Sequence, residues 1–444
     1  MHYEKFADGT VKCIEDEIPF EVPEGWEWAR LNYICMMAAG KSKPTAQIMP
    51  DPFEGSFPCF GGNGIRGYVD KYNQDGTYSI IGRQGALCGN INVATGKFYA
   101  TEHAVVTTLF SDIDFNWSNY ILEALHLNKY ATGAAQLGLS VANILNVFVP
   151  IPSTKEQQHI GRKISEIIEV IESIELQKQK LQRAALNTKS KILDLAIRGK
   201  LVPQDPNDEP ASVLLERIRV EKEELIKQGK IKRDKKESVI FKGEDNSYYL
   251  KDENGVTDIT DDLPFYIPDL WQWAKIKDIL QINPRNSLEN NLKVSFVPML
   301  LIDNGYSGKH TDEVRLWKQV KNGFTHFKEN DVGIAKITPC FENRKSTIFK
   351  NLRNGYGAGT TELHILRTYD DTILPQYLLA YIKSNLFIEK GKQNFIGVVG
   401  QQRIGRTYIE NLYLPIPPLQ EQQRIADQID VIFTQLDAII SSLL

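Results

Sequence analysis

Residues 16–31 read DEIPFEVPEGWEWARL and residues 261–276 read DDLPFYIPDLWQWAKI. They agree at seven of sixteen positions, where unrelated segments would agree at about one. Asp16, Pro19, Phe20, Pro23, Trp26, Trp28 and Ala29 recur as Asp261, Pro264, Phe265, Pro268, Trp271, Trp273 and Ala274. A second pair stands in the same order: NVFVPIPSTKEQQHI (146–160) matches NLYLPIPPLQEQQRI (411–425) at eight of fifteen positions. Ordered self-similarity of this kind means that a whole domain, together with the segment after it, is duplicated. Between the blocks lie 114 residues in the first copy and 134 in the second, and these interiors barely resemble each other. Two related frames with different fillings describe a scaffold carrying two separately variable recognition surfaces. A duplicated enzyme core would repeat its chemistry.

Each filling opens with the Trp-x-Trp segment as a strand or turn and then gives short β-like runs punctuated by Gly, Asn and Asp. Such runs are YSIIG (78–82) and HAVVTTLF (103–110) in one copy, VSFVPMLLI (294–302) and ELHILRTY (362–369) in the other. NWSNYILEALH (116–126) and PQYLLAYIKSN (375–385) read as equivalent helices, each begun by a polar or Pro cap. A mixed α/β (α+β) domain of roughly 150 residues is expected in each copy.

Pro150 and Pro152, like Pro415 and Pro417, impose an extended exit from each domain. A helix comes next. Ile160, Ile164, Ile167, Ile171, Ile174, Leu181, Ala185, Ile192 and Leu195 recur with 4,3 spacing, broken at Lys178 and Thr188, which is a coiled-coil seam. At about 1.5 Å per residue the stretch from 160 to 198 would span nearly 60 Å. Ile425, Ile429, Ile432, Leu436, Ile439 and Leu443 repeat the seam in the same register, and the second helix is about half as long. An apolar stripe needs a partner. The reading is therefore a long antiparallel two-helix coiled-coil spacer between two similar domains related by a pseudo-two-fold duplication; the alternative is that each helix packs on its own domain. The expected divisions are 1–152, a helical region at 153–236 with a charged helix from about Ala211 to Gln228, a polar linker at 237–260, a second domain at 261–417 and a short helix at 418–444.

Composition narrows the function. At 42% hydrophobic and 24% charged, the chain is neither disordered, collagen-like nor a small disulfide scaffold. No apolar run approaches the roughly 18 residues needed to cross a bilayer, and MHYEKFADGT lacks the apolar stretch of a secretion signal, so a cytoplasmic protein without a membrane partner is expected. Five cysteines without C-x-x-C spacing indicate neither a disulfide framework nor a structural zinc site. With 52 Lys plus Arg against 56 Asp plus Glu, the net charge is -4, so any nucleic-acid surface must be local or shared with a partner.

Several catalytic motifs are mimicked and fail on context. Gly62, Gly64 and Gly67 spell G-x-G-x-x-G, but Tyr68, Val69 and Asp70 lead from it into a turn and not a helix. Gly40, Lys41 and Ser42 resemble the end of a phosphate loop, with Cys35 where its first glycine belongs. Of the seven His, none pairs with another His, Cys or carboxylate at metal-ligand spacing on an expected helix or strand, and the N/D-P-P-Y/F tetrapeptide of amino-methylating enzymes is absent. No catalytic residue and no metal ligand is therefore assigned. What remains is loop chemistry suited to base edges and phosphates: Lys41, Asn63, Arg66, Arg83, Gln84 and Asn90 in the first copy. In the second copy the comparable residues are Arg285, Asn286, Lys336, Thr338, Asn343, Arg344, Gln401, Gln402 and Arg403. Each alone is compatible with an ordinary turn or surface residue.

At these residues the chain resembles the DNA-specificity subunit of type I restriction-modification systems, over essentially its full length. The resemblance is carried by the twice-repeated P-x-x-W-x-W opening, the twice-repeated P-I-P-x-x-x-E-Q-Q-x-I exit, and RGKLVPQDPNDEPASVLLERIRVEKEELIKQGKIK after the central helix. It implies two target recognition domains, each reading half of a bipartite site on double-stranded DNA, with paired helices that set the gap and dock adenine methyltransferase subunits. Restriction/translocase subunits would join for cleavage. It also implies that this chain is not an enzyme and binds no cofactor itself, S-adenosylmethionine, ATP and Mg²⁺ being used by the partner subunits. Glu156, Gln157 and Gln158, with Glu421, Gln422 and Gln423, head the two helices and are candidates for frame or methyltransferase contacts, or for helix caps. The carboxy-terminal helix departs from the pattern: it is short and has no second RGKLVPQDP after it. That leaves as alternatives a truncated or orphan subunit acting only as a DNA-binding or oligomerising protein, and a self-sufficient nuclease or methyltransferase, for which no turnover by the isolated chain is expected.

Overall fold

The computed structural model describes all residues except 86, 133–136, 234–236, 370–371, 399 and 444, so the end of the basic run (234–236) and the final Leu444 lie outside the described residues. The chain forms two compact units, Met1–Leu176 and Gln177–Leu444, and the division falls inside the helix Thr154–Ile197.

In each unit the two repeated blocks pair with each other. The opening strand Glu27–Arg30 runs antiparallel to the closing strand Phe148–Ile151, with Trp28 opposite Pro150. Gln272–Lys275 likewise pairs with Tyr413–Ile416, with Trp273 opposite Pro415. Proline has no ladder donor and is tolerated at such an edge ribbon. The ribbon ties the start of each filling to its end, which is why the two motifs recur together. The duplication also reaches upstream, where Ile14 and Ile259 stand at the same offset before the blocks and are both buried.

The first filling is a six-stranded sheet with the spatial order Cys35–Ala39, Ala104–Leu109, Gln74–Gly82, Ile91–Ala100, Phe57–Gly61, Gly64–Val69. Successive side chains of a strand face opposite sides. Ile81 therefore joins Trp117 and Leu122 in one core, while Ile80 joins Phe60 and Phe98 in another. The helix Phe115–Ala124 begins where the Asp114 carboxylate accepts from the Trp117 N–H at 2.9 Å, an N-cap. The second filling has two four-stranded sheets. One orders Leu280–Ile282, Leu363–Thr368, Val332–Ala335 and Ser346–Ile348; the other orders Glu313–Leu316, Lys293–Val297, Tyr356–Gly359 and Thr325–Lys328. The helix Pro375–Lys383 starts with proline in its first turn, where no backbone donor is needed.

The expected linker at 237–260 is corrected by the structure. Val239–Lys242, Tyr248–Asp252 and Gly255–Asp258 form a three-stranded antiparallel sheet. Ile240, Tyr248, Leu250 and Ile259 enter the core that holds Trp271 and Trp273. The polar face of this small sheet concealed the apolar one.

Thr154–Ile197 is one helix. Its first turns sit on their own domain: Ile160 packs on the first core, and the Tyr120 and Ser165 hydroxyls lie 3.0 Å apart. Ile164 is half-buried, but Ile167, Ile171 and Ile174 are 50%, 59% and 59% exposed. In the second unit, residues 177–197 meet the helix Leu419–Ser442 in antiparallel order. Ala196 shares a core with Ile425 and Ile429, and further back the Lys189 ammonium donates to Asp437 at 2.5 Å and lies 5.0 Å over the Phe433 ring. Ala185 is buried there and Ile432, Leu436 and Leu443 are half-buried, whereas Leu181 and Ile439 remain more than 40% exposed.

The helix Ala211–Lys227 buries Ala211, Leu214 and Ile218 against Ala274, Ile276 and Ile279. Before it, Gly199 ends the long helix at φ +67, where a Cβ would lie 2.4 Å from Pro268 Cγ, so only glycine lets the chain turn against the second opening block. Among the described residues no helix is long and apolar enough to cross a membrane.

Candidate functional site

The E-Q-Q triplets divide by position. The Gln157 amide donates to Pro152 O at 3.0 Å and accepts from the Asp114 N–H at 3.0 Å. The Gln422 amide donates to Pro417 O at 3.1 Å and accepts from the Leu374 N–H at 2.8 Å. Both side chains are buried, and each joins the closing proline segment to the residue that begins the domain's own helix. The middle glutamine is thus part of the frame. Gln158 and Gln423 are exposed, and so is Glu156. Glu421 is buried, accepting from Trp271 Nε1 at 2.8 Å and from Gln204 Nε2 at 2.5 Å, while Arg424 pairs with Asp208. Burial raises the Glu421 carboxyl above its ordinary range, opposed by these hydrogen bonds and by Arg424.

Inside the dissimilar fillings, the ends of two core strands superimpose as a pattern of hydrogen bonds. In the first unit Gly82 lies opposite Ala104; beyond them the Arg83 N–H donates to His103 O at 2.9 Å and Arg83 O accepts from the Leu139 N–H at 2.9 Å. The Gly85 N–H then donates to Leu137 O, and Gln84 bridges Gly138. In the second unit Ala335 lies opposite Leu363; the Lys336 N–H donates to Glu362 O at 2.8 Å and Lys336 O accepts from the Ile404 N–H at 3.0 Å. The Thr338 N–H donates to Gln402 O, and Ile337 bridges Arg403. Arg83 thus corresponds to Lys336, His103 to Glu362 and Gly138 to Arg403.

Around the first strand end the structure gathers most of the expected residues. The Lys41 N–H donates to Ala100 O, beside the turn that carries His103, and Lys41 is exposed. Asn90 Nδ2 donates to Asn63 Oδ1 at 2.8 Å, Arg66 donates to Thr45 Oγ1, and Arg83 Nε donates to Leu139 O at 3.3 Å. A Cβ on Gly82 would lie 2.0 Å from Gly62 O, so glycine there lets the hairpin at Gly61–Gly64 press on the strand end. The G-x-G-x-x-G stretch accordingly lies in a β-hairpin. Asn92 Nδ2, Thr101 Oγ1, Glu102 Oε2 and His103 Nδ1 are buried there without a partner among the described residues. Glu102 and His103, missed in the sequence, belong to this cluster, as Glu362 does to the other.

The second strand end holds Lys336, Thr338, Gln401, Gln402 and Arg403. The Lys336 ammonium donates to Thr361 O at 2.8 Å, and burial holds its pKa below the usual lysine value, with Glu362 opposing that fall and Arg403 adding to it. Thr338 Oγ1 is buried and unpartnered among the described residues. A cavity of about 250 Å³ beside Lys336 is lined by Arg285, His326 and Thr361. Arg285 donates to Phe324 O at 2.9 Å, and burial, then the Arg285 charge, lowers the His326 pKa. Asn286 is spent internally, donating to Phe327 O and accepting from Arg367. Asn343 and Arg344 are not brought to this end. Arg344, at φ 53, donates to Lys383 O and Asn385 and lies over the Tyr306 ring, while the buried Lys383 ammonium, drawn down to about 7 by burial and by Arg344, donates to Gly305 O and Arg344 O.

Among the described residues one group, His2 with Glu15 and Glu21, has the spacing to hold a metal ion; His2 Nδ1 and Glu15 Oε2 already lie 3.2 Å apart.

Comparison with known proteins agrees with the duplicated frame. The "Type I restriction modification DNA specificity domain" model matches residues 23–183 and 268–443, well over half of the chain. The chain is 48% identical over 246 residues to the Type I restriction enzyme EcoAI specificity subunit of Escherichia coli, a match taking in 55% of this chain and 38% of that protein. It is 45% identical over 235 residues to the EcoEI specificity subunit of the same organism, covering 53% and 36%. The matches thus span well under half of the length of these relatives. A solved chain studied for complex assembly and conformational transition of the type I R-M system superimposes with a TM-score of 0.57 at 14% identity, covering 96% of this chain and 94% of the other, a likeness of fold. On the doubled family match and the doubled frame, the chain belongs to the type I restriction modification DNA specificity domain family.

Proposed function

We propose that this chain is the non-catalytic DNA-reading subunit of a type I restriction-modification complex, with each recognition domain, 1–152 and 261–417, reading one half of a bipartite site on double-stranded DNA. The helices at 153–236 and 418–444 set the gap and dock adenine methyltransferase subunits. Those partners use S-adenosylmethionine, and restriction/translocase subunits use ATP and Mg²⁺; this chain binds none of them. One observation carries the reading: the same strand-end position recurs in both domains with different side chains, Arg83, His103 and Gly138 in one and Lys336, Glu362 and Arg403 in the other. One backbone frame offering unlike donor and acceptor sets suits two unlike half-sites, since sequence is read at base edges. Asn92 Nδ2, Thr101 Oγ1 and His103 Nδ1, which have no partner among the described residues at the first strand end, support a polar ligand, because such groups are costly unless satisfied. A net charge of -4 is compatible when partners carry much of the phosphate contact.

The test is co-expression with the cognate methyltransferase, and then sequencing that detects modified bases. Adenine methylation at one split, asymmetric motif is expected. Absence of any modified motif, with both proteins folded and associated, refutes the reading.

A further inference from the structure

We propose that Arg403 reads a guanine in the second half-site and that Glu362 positions it for that contact. The inference rests on the DNA-reading function above and assigns one of its contacts. Glu362 accepts from Arg403 Nε at 2.9 and 3.1 Å and from Nη2 at 3.0 Å, and Gln401 O accepts from Nη1 at 2.8 Å. A guanidinium has five N–H groups in a rigid fork. These contacts occupy its Nε side and one N–H of Nη1, leaving one N–H on each terminal nitrogen. A pair of N–H groups on the two terminal nitrogens is what the O6 and N7 acceptors of guanine require.

The setting fits a base reader better than a phosphate clamp. Arg403 and Glu362 keep 44% and 29% of their side-chain surfaces exposed, so the pair is tied to its own domain and still reachable from solvent. Glu362 cancels the charge that a phosphate contact would use and raises the Arg403 pKa, mainly through their hydrogen bond. Their backbones are fixed as well: Glu362 O accepts from the Lys336 N–H, and Ile337 and Arg403 form a bridge. Both ends of the pair are therefore anchored on one strand junction, the preorganisation a specific contact needs. In the first domain Gly138 and His103 occupy these two positions, so that domain lacks the device and serves as an internal control.

The experiment uses the full chain co-expressed with its methyltransferase and compares initial methylation rates on the native site and on sites with each base pair of either half replaced. Arg403→Ala is expected to lose discrimination of roughly 5- to 150-fold at a single G·C pair of the second half, with the first half unchanged. Arg403→Lys retains the charge without the fork and should lose discrimination at the same pair, as should Glu362→Gln to a smaller degree. Thermal unfolding of each variant separates misfolding from misreading, and the lysine variant stands in if the alanine variant does not fold. The proposal is overturned if the folded variants discriminate every second-half pair like the parent, if the second half contains no G·C pair, or if the loss is uniform across sequences with a shallower salt dependence, which marks a phosphate contact. A parent complex that methylates no split motif refutes the DNA-reading function itself, a different outcome from an intact motif indifferent to Arg403.

Discussion

Replacing Gln422 with alanine should unlock the second domain's frame without touching any surface that reads DNA. The side chain is fully buried, accepts from the Leu374 N–H at 2.8 Å and donates to Pro417 O at 3.1 Å and, more weakly, to Thr372 O at 3.4 Å. Truncation strands one buried donor, which costs about 1–3 kcal/mol, and leaves a small cavity that adds about 1 kcal/mol; the carbonyls add less because they keep a second lone pair. The result is a loss of about 2–4 kcal/mol, read in urea unfolding as a lower midpoint of the second unit's transition at unchanged m. Gln157→Ala should do the same to the first unit, since its partners, Pro152 O and the Asp114 N–H, are equivalent. Gln423→Ala is the control: Gln423 is exposed and its side chain bonds Asp427 one helical turn away, so a change within about 0.5 kcal/mol is expected. The reasoning fails if Gln422→Ala costs less than about 0.5 kcal/mol, or if Gln423→Ala costs as much.

Arg367 donates to both carboxylate oxygens of the buried Asp331 at 2.9 and 2.8 Å, and burial raises the Asp331 pKa in spite of it; Arg367→Met should therefore cost about 3–5 kcal/mol at pH 8. The folded-state pKa of the stranded carboxyl lies above its unfolded value, so chemical denaturation from pH 8 to 5 should show the deficit shrinking as the acid form becomes populated, and a deficit that grows on acidification contradicts this. His364 is buried and neutral: burial draws its pKa down to about 4, against the opposing pull of the hydrogen bond that Nε2–H donates to Ile404 O at 3.0 Å. Because the folded pKa is below the unfolded one, its contribution is present above about pH 6.5 and is lost as pH falls towards 4; His364→Leu should flatten the second unit's pH–stability curve in that window. Leu250→Ala, in the small sheet at 239–258, should cost about 2 kcal/mol or more by calorimetry, whereas a linker residue would be silent.

The frame was legible because its signals are local or repeated. Proline and tryptophan at fixed offsets reveal the opening and closing blocks, and the 4,3 spacing of apolar residues reveals the helices at Thr154–Ile197 and Leu419–Ser442. The sheet at 239–258 carried a weak signal, the Asn254–Gly255 pair beside short alternating runs, but strands of four and five residues barely exceed noise. Seam positions show the limit of periodicity. Ile425 and Ile171 satisfy the same pattern, yet one is buried and the other 59% exposed, because periodicity marks the face and not what covers it.

The repeated motifs alone establish that two domains share one frame, that each is closed by a Pro-x-Pro exit into a helix, and that the chain belongs with DNA-specificity subunits. That Arg83 and Lys336 occupy one position, that Glu362 stands behind Arg403, and that Asn286 and Arg344 are spent on their own domain emerges from the folded chain. Strand pairing joins residues far apart in the chain, so the partner that commits or frees a polar side chain cannot be read from its neighbours in sequence.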